Sequence, residues 1–205
     1  DGDPDAAAAA RADEAGKAFS YGPASAGQPY ILSQLTGAYC NIPAFLDSQQ
    51  PVETRADVEA YMARLEGFAH AMDQEIEVSR HDAGQGVIAP DFALAKTLTQ
   101  MTQLRAEKPD TCNLVMSVVN RAKAKKLSGD WQAAGAKLVA EKVYPALYRQ
   151  LALVKEMQKK ARHDAGCWAL PKGGDYYRAS LTTWATTDKT PDAIHRLGLD
   201  IVADH

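Results

Sequence analysis

The stretch TRADVEAYMARLEGFAHAMDQEIEVSRH, Thr54 to His81, decides the fold. Val58, Tyr61, Met62, Leu65, Phe68, Met72 and Ile76 recur at i, i+3, i+4 and i+7, which puts them on one face of a helix. Thr54 with Asp57 three positions on forms a capping-box pattern, Asp standing where Glu is usual. The spacing predicts one helix of about seven turns ending near His81. On this stripe Tyr61 and Met72 read as core residues.

The same period continues toward the C-terminus. Pro90 or Asp91 opens a helix carrying Phe92, Leu94, Leu98, Met101 and Leu104, which ends near Lys108-Pro109. Asp110 or Thr111 caps another with Leu114, Val115, Val118, Val119 and Ala122, closed by Ser128-Gly129. Asp130 caps a third with Trp131, Ala134 and Leu138, and Pro145 breaks or restarts the chain. Leu147, Tyr148, Leu151, Val154 and Met157 then run on to about Arg162. Gly173-Gly174 leads into a helix with Tyr177, Leu181 and Trp184. Thr190 caps a last helix, with Pro191 at its first position and Ile194, Leu197, Ile201 and Val202 on one face. No segment alternates with period two. The fold class is all-α, a multi-helix array.

The N-terminal side is less regular. Ser20 to Pro51 holds four prolines and three glycines, yet also Tyr30, Ile31, Leu32, Leu35, Tyr39, Ile42, Phe45 and Leu46. A flexible linker lacks that payload. The segment reads as an ordered, loop-rich stretch pinned by aromatics, with a short helix at Ile31 to Thr36. Asp1, Asp3 and Asp5 match the first ligands of a calcium loop. Ala6 and Ala12 stand where that loop needs Gly and Glu, so the site is rejected. Acidic residues ahead of an alanine run make a helix start.

Composition narrows the function classes. The chain has 205 residues, 46% hydrophobic and 24% charged, which is ordinary for a globular protein. A net charge of −3 argues against a nucleic-acid partner. The basic clusters RAKAKK (Arg121 to Lys126) and KKAR (Lys159 to Arg162) fall in last turns of predicted helices, where solvated cations complement the dipole. No run reaches the ~20 apolar residues of a membrane span. Cys40, Cys112 and Cys167 form no CxxC pair. One disulfide with a thiol left over and three free cysteines both fit them.

Chemistry-bearing motifs are sparse. RHDAG occurs at Arg80 to Gly84 and again at Arg162 to Gly166. Neighbouring helical residues point about 100° apart, so His and Asp here do not easily chelate one ion. Two helix stops fit better, with Arg and His on the dipole's negative end and Gly in the left-handed cap position. There is no HExxH, GxSxG, Walker loop or GxGxxG, so the chain holds no complete active site of those kinds.

Five phrases occur in one order: GQPYILSQLTGAY, IPAFLDSQQPVETRADVEAYMARL, QGVIAPDF, AGCWALPKGGDYYRASLTTWATT and TPDAIHRLGLDIV. Together they resemble a bacterial family filed as a domain of unknown function, number 885. The likeness runs from about Gly27 to Val202, so residues 27–205 read as the helical N-terminal part of that family's domain, with 1–26 a weakly matched N-terminal helix or linker. The resemblance implies an all-helical, gluzincin-like zinc metallopeptidase. Its HExxH helix and further glutamate ligand would follow the segment resembling TPDAIHRLGLDIV. On that reading this chain is the N-terminal part of a zinc-dependent oligopeptidase or dipeptidyl-type hydrolase. Zinc would be bound outside this chain, in a companion polypeptide carrying the catalytic half.

The resemblance also implies a peptide substrate and export, periplasmic or lipoprotein-anchored. No catalytic or metal-binding residue carries over to this chain. Tyr30, Tyr176 and Tyr177 are candidates for lining the substrate cleft, where a phenol can bond a peptide carbonyl or oxyanion. His195 also matches the family pattern, at the start of the last helix. The other reading is a non-catalytic helical scaffold that binds a peptide or protein partner through the segment from Tyr21 to Pro51.

Overall fold

A computed structural model describes residues 28–185, 187 and 189–204. The reading of residues 1–26 lies outside them. Among the described residues there is no strand, and the all-α expectation holds. The helices are α1 Ala38–Ser48, α2 Arg55–Gly84, α3 Asp91–Ala106, α4 Asn113–Ala124, α5 Trp131–Leu138, α6 Tyr144–Gln158, α7 Gly173–Ala185 and α8 Pro191–Ala203. A π-helical turn, Val139–Val143, joins α5 to α6, and a 3₁₀ turn, Cys167–Ala169, precedes α7. No described helix is long and apolar enough to cross a membrane. Two compact units are present. One holds residues 31–81 and 89–163; the other holds, of the described residues, 28–30, 82–88 and 164–204.

The larger unit is organised by the α2 stripe. Val58, Tyr61, Leu65, Phe68 and Met72 are all fully buried, as their spacing predicts. Each such side chain stabilises the fold by roughly 1.5–3 kcal/mol. Leu94 and Met101 of α3, Val115 and Val118 of α4, and Leu147 and Val154 of α6 complete the core. Here α3 packs along α6, α5 against α4, and α1 against α4. The Tyr61 hydroxyl donates to the Leu114 carbonyl at 2.9 Å, tying α2 to the start of α4. The capping box forms: the Asp57 carboxylate accepts from Thr54 N–H at 2.8 Å, and Thr54 Oγ1 from Asp57 N–H at 3.3 Å.

Several local expectations are corrected. Residues 31–35 are bends and Thr36 is irregular, and the helix of this region is α1, with Pro43 inside it. It survives a mid-helix proline because distant groups hold both ends. Glu75 Oε1 accepts from Ala38 N–H at 2.7 Å, and the Arg121 guanidinium donates to the carbonyls of Leu46 and Gln50, both at 2.8 Å. Arg121 is thus a C-terminal cap for α1, more than a solvated helix-end cation.

Pro145 does not break its helix. The Tyr144 N–H reaches back five residues to the Val139 carbonyl, and this wide turn makes room where a proline ring would meet the preceding carbonyls. The N-cap of α4 is Cys112, and Glu107 Oε2 accepts from Asn113 N–H at 2.9 Å, in place of an Asp110 or Thr111 cap.

The RHDAG glycines are not left-handed caps. After α2 that position belongs to Gly86, φ 86°. Gly166 is extended, φ −87°, eight residues beyond the end of α6 at Gln158. The second copy instead clamps the start of α3. The Arg162 carbonyl accepts from Asp91 N–H, and His163 Nδ1 lies 2.9 Å from Asp91 Oδ1.

In the smaller unit a compact core forms from Val87, Leu170 and Tyr176, with Tyr30 and Cys167 packed on it. Lys172, with φ 54°, turns the chain into α7. Gly173 follows because nothing larger fits: a Cβ there would lie 1.9 Å from the Cys167 carbonyl oxygen. At α8, Thr190 Oγ1 accepts from Ala193 N–H at 3.2 Å, and Pro191 takes the first position.

Candidate functional site

The turn WALPKGGDYYR places two of the three candidate tyrosines together. Tyr176 is 2% exposed in the small core, and Tyr30 packs against that core. Tyr177, the next residue along α7, points elsewhere by helical geometry and is 49% exposed. Tyr177, Leu181 and Trp184 follow i, i+4, i+7, so they share a face. Trp184 is 69% exposed and Leu181 half-buried. Trp168, on the 3₁₀ turn, is also exposed. Asp175 and Arg178 pair at 2.6 Å on the first turn of α7. On α8, Leu197, Leu199, Ile201 and Val202 are all exposed, as is His195. The smaller unit therefore presents aromatic and aliphatic side chains along two helices. Such surface, when contiguous, marks a place where something else packs or binds.

A second group of polar residues, in the larger unit, has no motif. Glu75, half-buried on α2, accepts from Ala38 N–H through Oε1 and from Gln150 Nε2 at 2.9 Å through Oε2. Burial pushes its carboxyl above the usual glutamate value, against the lowering effect of those two hydrogen bonds. Gln150 is fully buried, and its Oε1 has no partner. Tyr39, on α1, has its hydroxyl 2.8 Å from the Ser33 carbonyl and 2.7 Å from Gln100 Oε1, and burial raises it to about 12. The only signal for Glu75 in the sequence is a carboxylate one residue before Ile76 of the core stripe. Its partners lie 37 and 75 positions away, beyond any local reading.

The remaining reactive side chains are quiet. All three cysteines are free thiols. Burial raises those of Cys40 and Cys112, the opposite of what an activated nucleophile needs. Among the described residues no three His, Cys, Asp or Glu side chains are grouped to hold a metal ion, so those residues offer no zinc site.

No curated protein matches the chain. It is similar to a solved structure, the putative lipoprotein from Colwellia psychrerythraea, with a TM-score of 0.78 at 24% identity. The match covers 86% of this chain and 31% of that one, so this chain spans less than a third of that relative's length. At this identity the likeness is one of fold. The family model described as "Bacterial protein of unknown function (DUF885)" matches residues 4–205, and the chain belongs to that family.

Proposed function

We propose that this chain is the N-terminal helical part of a zinc-dependent oligopeptidase or dipeptidyl-type hydrolase, forming scaffold and one wall of the substrate cleft. The observation that carries the reading is the exposed face of the smaller unit, with Tyr177 and Trp184 on α7 and the aliphatic stripe of α8. A catalytic polypeptide and a peptide substrate supply chemistry for such a face. The reaction class comes from the family resemblance. The greater length of the Colwellia psychrerythraea relative supports a partner region, and its description as a lipoprotein supports export, periplasmic or lipid-anchored.

Zinc, when bound in the catalytic half, supplies an activated water. This chain's residues bind and orient. Tyr177, solvent-facing, offers its hydroxyl to a peptide carbonyl, while Tyr176 and Tyr30 fix the start of α7 from inside. The scaffold alternative, a non-catalytic binder of a peptide or protein, draws on the same face.

The first test is intact-mass spectrometry under denaturing conditions on native protein, followed by metal analysis and peptide turnover. A polypeptide containing HExxH, zinc and turnover are expected. Tyr177→Phe should then lower kcat/KM by about tenfold, roughly one lost hydrogen bond, with Tyr176→Phe within a few-fold of wild type. A lone chain of this mass with no zinc and no turnover overturns the enzyme reading and leaves the scaffold.

A further inference from the structure

We propose that the cleft between the end of α4 and the start of α5 binds a small organic dianion with an apolar body, a phosphate monoester or a dicarboxylate. The cleft has a volume of about 450 Å³, within the range of small-molecule sites. Val119, Leu127 and Trp131 give it an apolar wall, and Lys123, Lys126 and Ser128 line it as well.

Three observations set these lysines apart from ordinary helix-end cations. Lys125 between them pairs with Glu53, whereas Lys123 and Lys126 have no ion pair among the described residues. Three of the carbonyls at the end of α4 are already bonded to backbone, with no lysine ammonium among their donors. Those of Arg121, Lys123 and Ala122 accept from the N–H groups of Lys125, Lys126 and Leu127, and the Leu127 carbonyl accepts from the Trp131 indole. Lys126 also holds φ 56°, the left-handed conformation that glycine adopts freely and lysine does not. A carboxylate lines the cleft too, that of Asp130, which caps α5 through Ala133 N–H at 3.4 Å and keeps its negative charge, so the two ammonium groups outnumber it by one. Two unpaired ammonium groups beside an indole suit a doubly charged head joined to an apolar or aromatic body.

The probes are phenyl phosphate and phenylsuccinate, titrated calorimetrically into the full chain, with inorganic phosphate for comparison. We expect saturable binding of at least one aromatic probe with Kd near 1 mM or tighter, roughly the affinity of a small charged ligand. The tighter of the two identifies the head group. Inorganic phosphate should bind at least about tenfold more weakly, since it lacks the body. Lys126→Gly removes the ammonium and relieves the backbone, so it should raise the melting temperature by a few degrees, roughly, while weakening binding about tenfold. Lys123→Gln combined with Lys126→Gln should abolish it. The proposal fails if neither aromatic probe saturates, if inorganic phosphate binds as tightly as phenyl phosphate, or if Lys126→Gly keeps full affinity.

Discussion

The two glycines at the head of α7 look interchangeable in the sequence and are not. A Cβ on Gly173 would sit 1.9 Å from the Cys167 carbonyl oxygen and 2.9 Å from the Trp168 Cα, both backbone atoms that cannot swing away. A Cβ on Gly174 would meet nothing within 4 Å. Gly173→Ala should therefore cost about 3 kcal/mol, a strong overpacking penalty. Gly174→Ala should be neutral or stabilise by up to about 1 kcal/mol through helix propensity. Urea melts of the two variants check the contrast, and equal midpoints would refute it. The doublet was legible as a helix start. Which glycine is obligatory was not, because the obstacle is the carbonyl of a residue six positions back.

Helices whose signals are local were legible, and those fixed by distant partners were not. The capping box at Thr54, the Asp130 cap and the Thr190-Pro191 start all form where they are written. Helix α1 was hidden, since Gly37 and Pro43 read as loop while its supports, Glu75 and Arg121, lie on α2 and α4. Pro145 misled for the opposite reason. It predicts a break or a restart: α6 does start at Tyr144 with Pro145 in its first turn, but the Val139–Val143 turn carries the helical path up to it without a break.

Glu75 gives this element-level support a pH signature. Its folded carboxyl lies above the ordinary value because burial disfavours the charge. Its stabilising contribution is thus fully present below the unfolded pKa and is lost as pH rises through the folded one. The stability of wild type relative to Glu75→Gln should accordingly fall as pH rises from about 4 through the raised folded pKa. Glu75→Ala strands Ala38 N–H and leaves Gln150 Nε2 only its long 3.5 Å bond to the Met72 carbonyl, and should cost about 2–3 kcal/mol. Chemical denaturation of the three proteins across that range reads both effects. A pH-independent gap would remove the buried-carboxyl account.

Over the whole molecule, the sequence distinguishes a helical face from a buried one poorly. The α8 stripe has the same spacing as the α2 stripe, yet Ile201 is 52% exposed where Leu65 is 0%. Periodicity says which side chains share a face; what covers that face depends on everything else in the fold. For the same reason the adjacent Tyr176 and Tyr177 could not be told apart until the core was seen. Exposed positions contribute little to folding, so Ile201→Glu with Val202→Glu should leave the melting temperature of the chain nearly unchanged. The pair should suppress self-association at high concentration and, if the proposed function is right, block assembly with the catalytic polypeptide. Light scattering and co-purification measure these, and undiminished assembly would move the interface elsewhere.

The tryptophans divide in a way that is experimentally convenient. Trp131 belongs to the larger unit, half-buried with the Arg55 guanidinium 5.3 Å from its ring, while the exposed Trp168 and Trp184 belong to the smaller one. Iodide should quench the latter pair first. With Trp168 and Trp184 changed to Phe, the remaining emission becomes a private optical channel for the larger unit, and any non-coincidence with circular dichroism during unfolding would reveal two melting events in one chain.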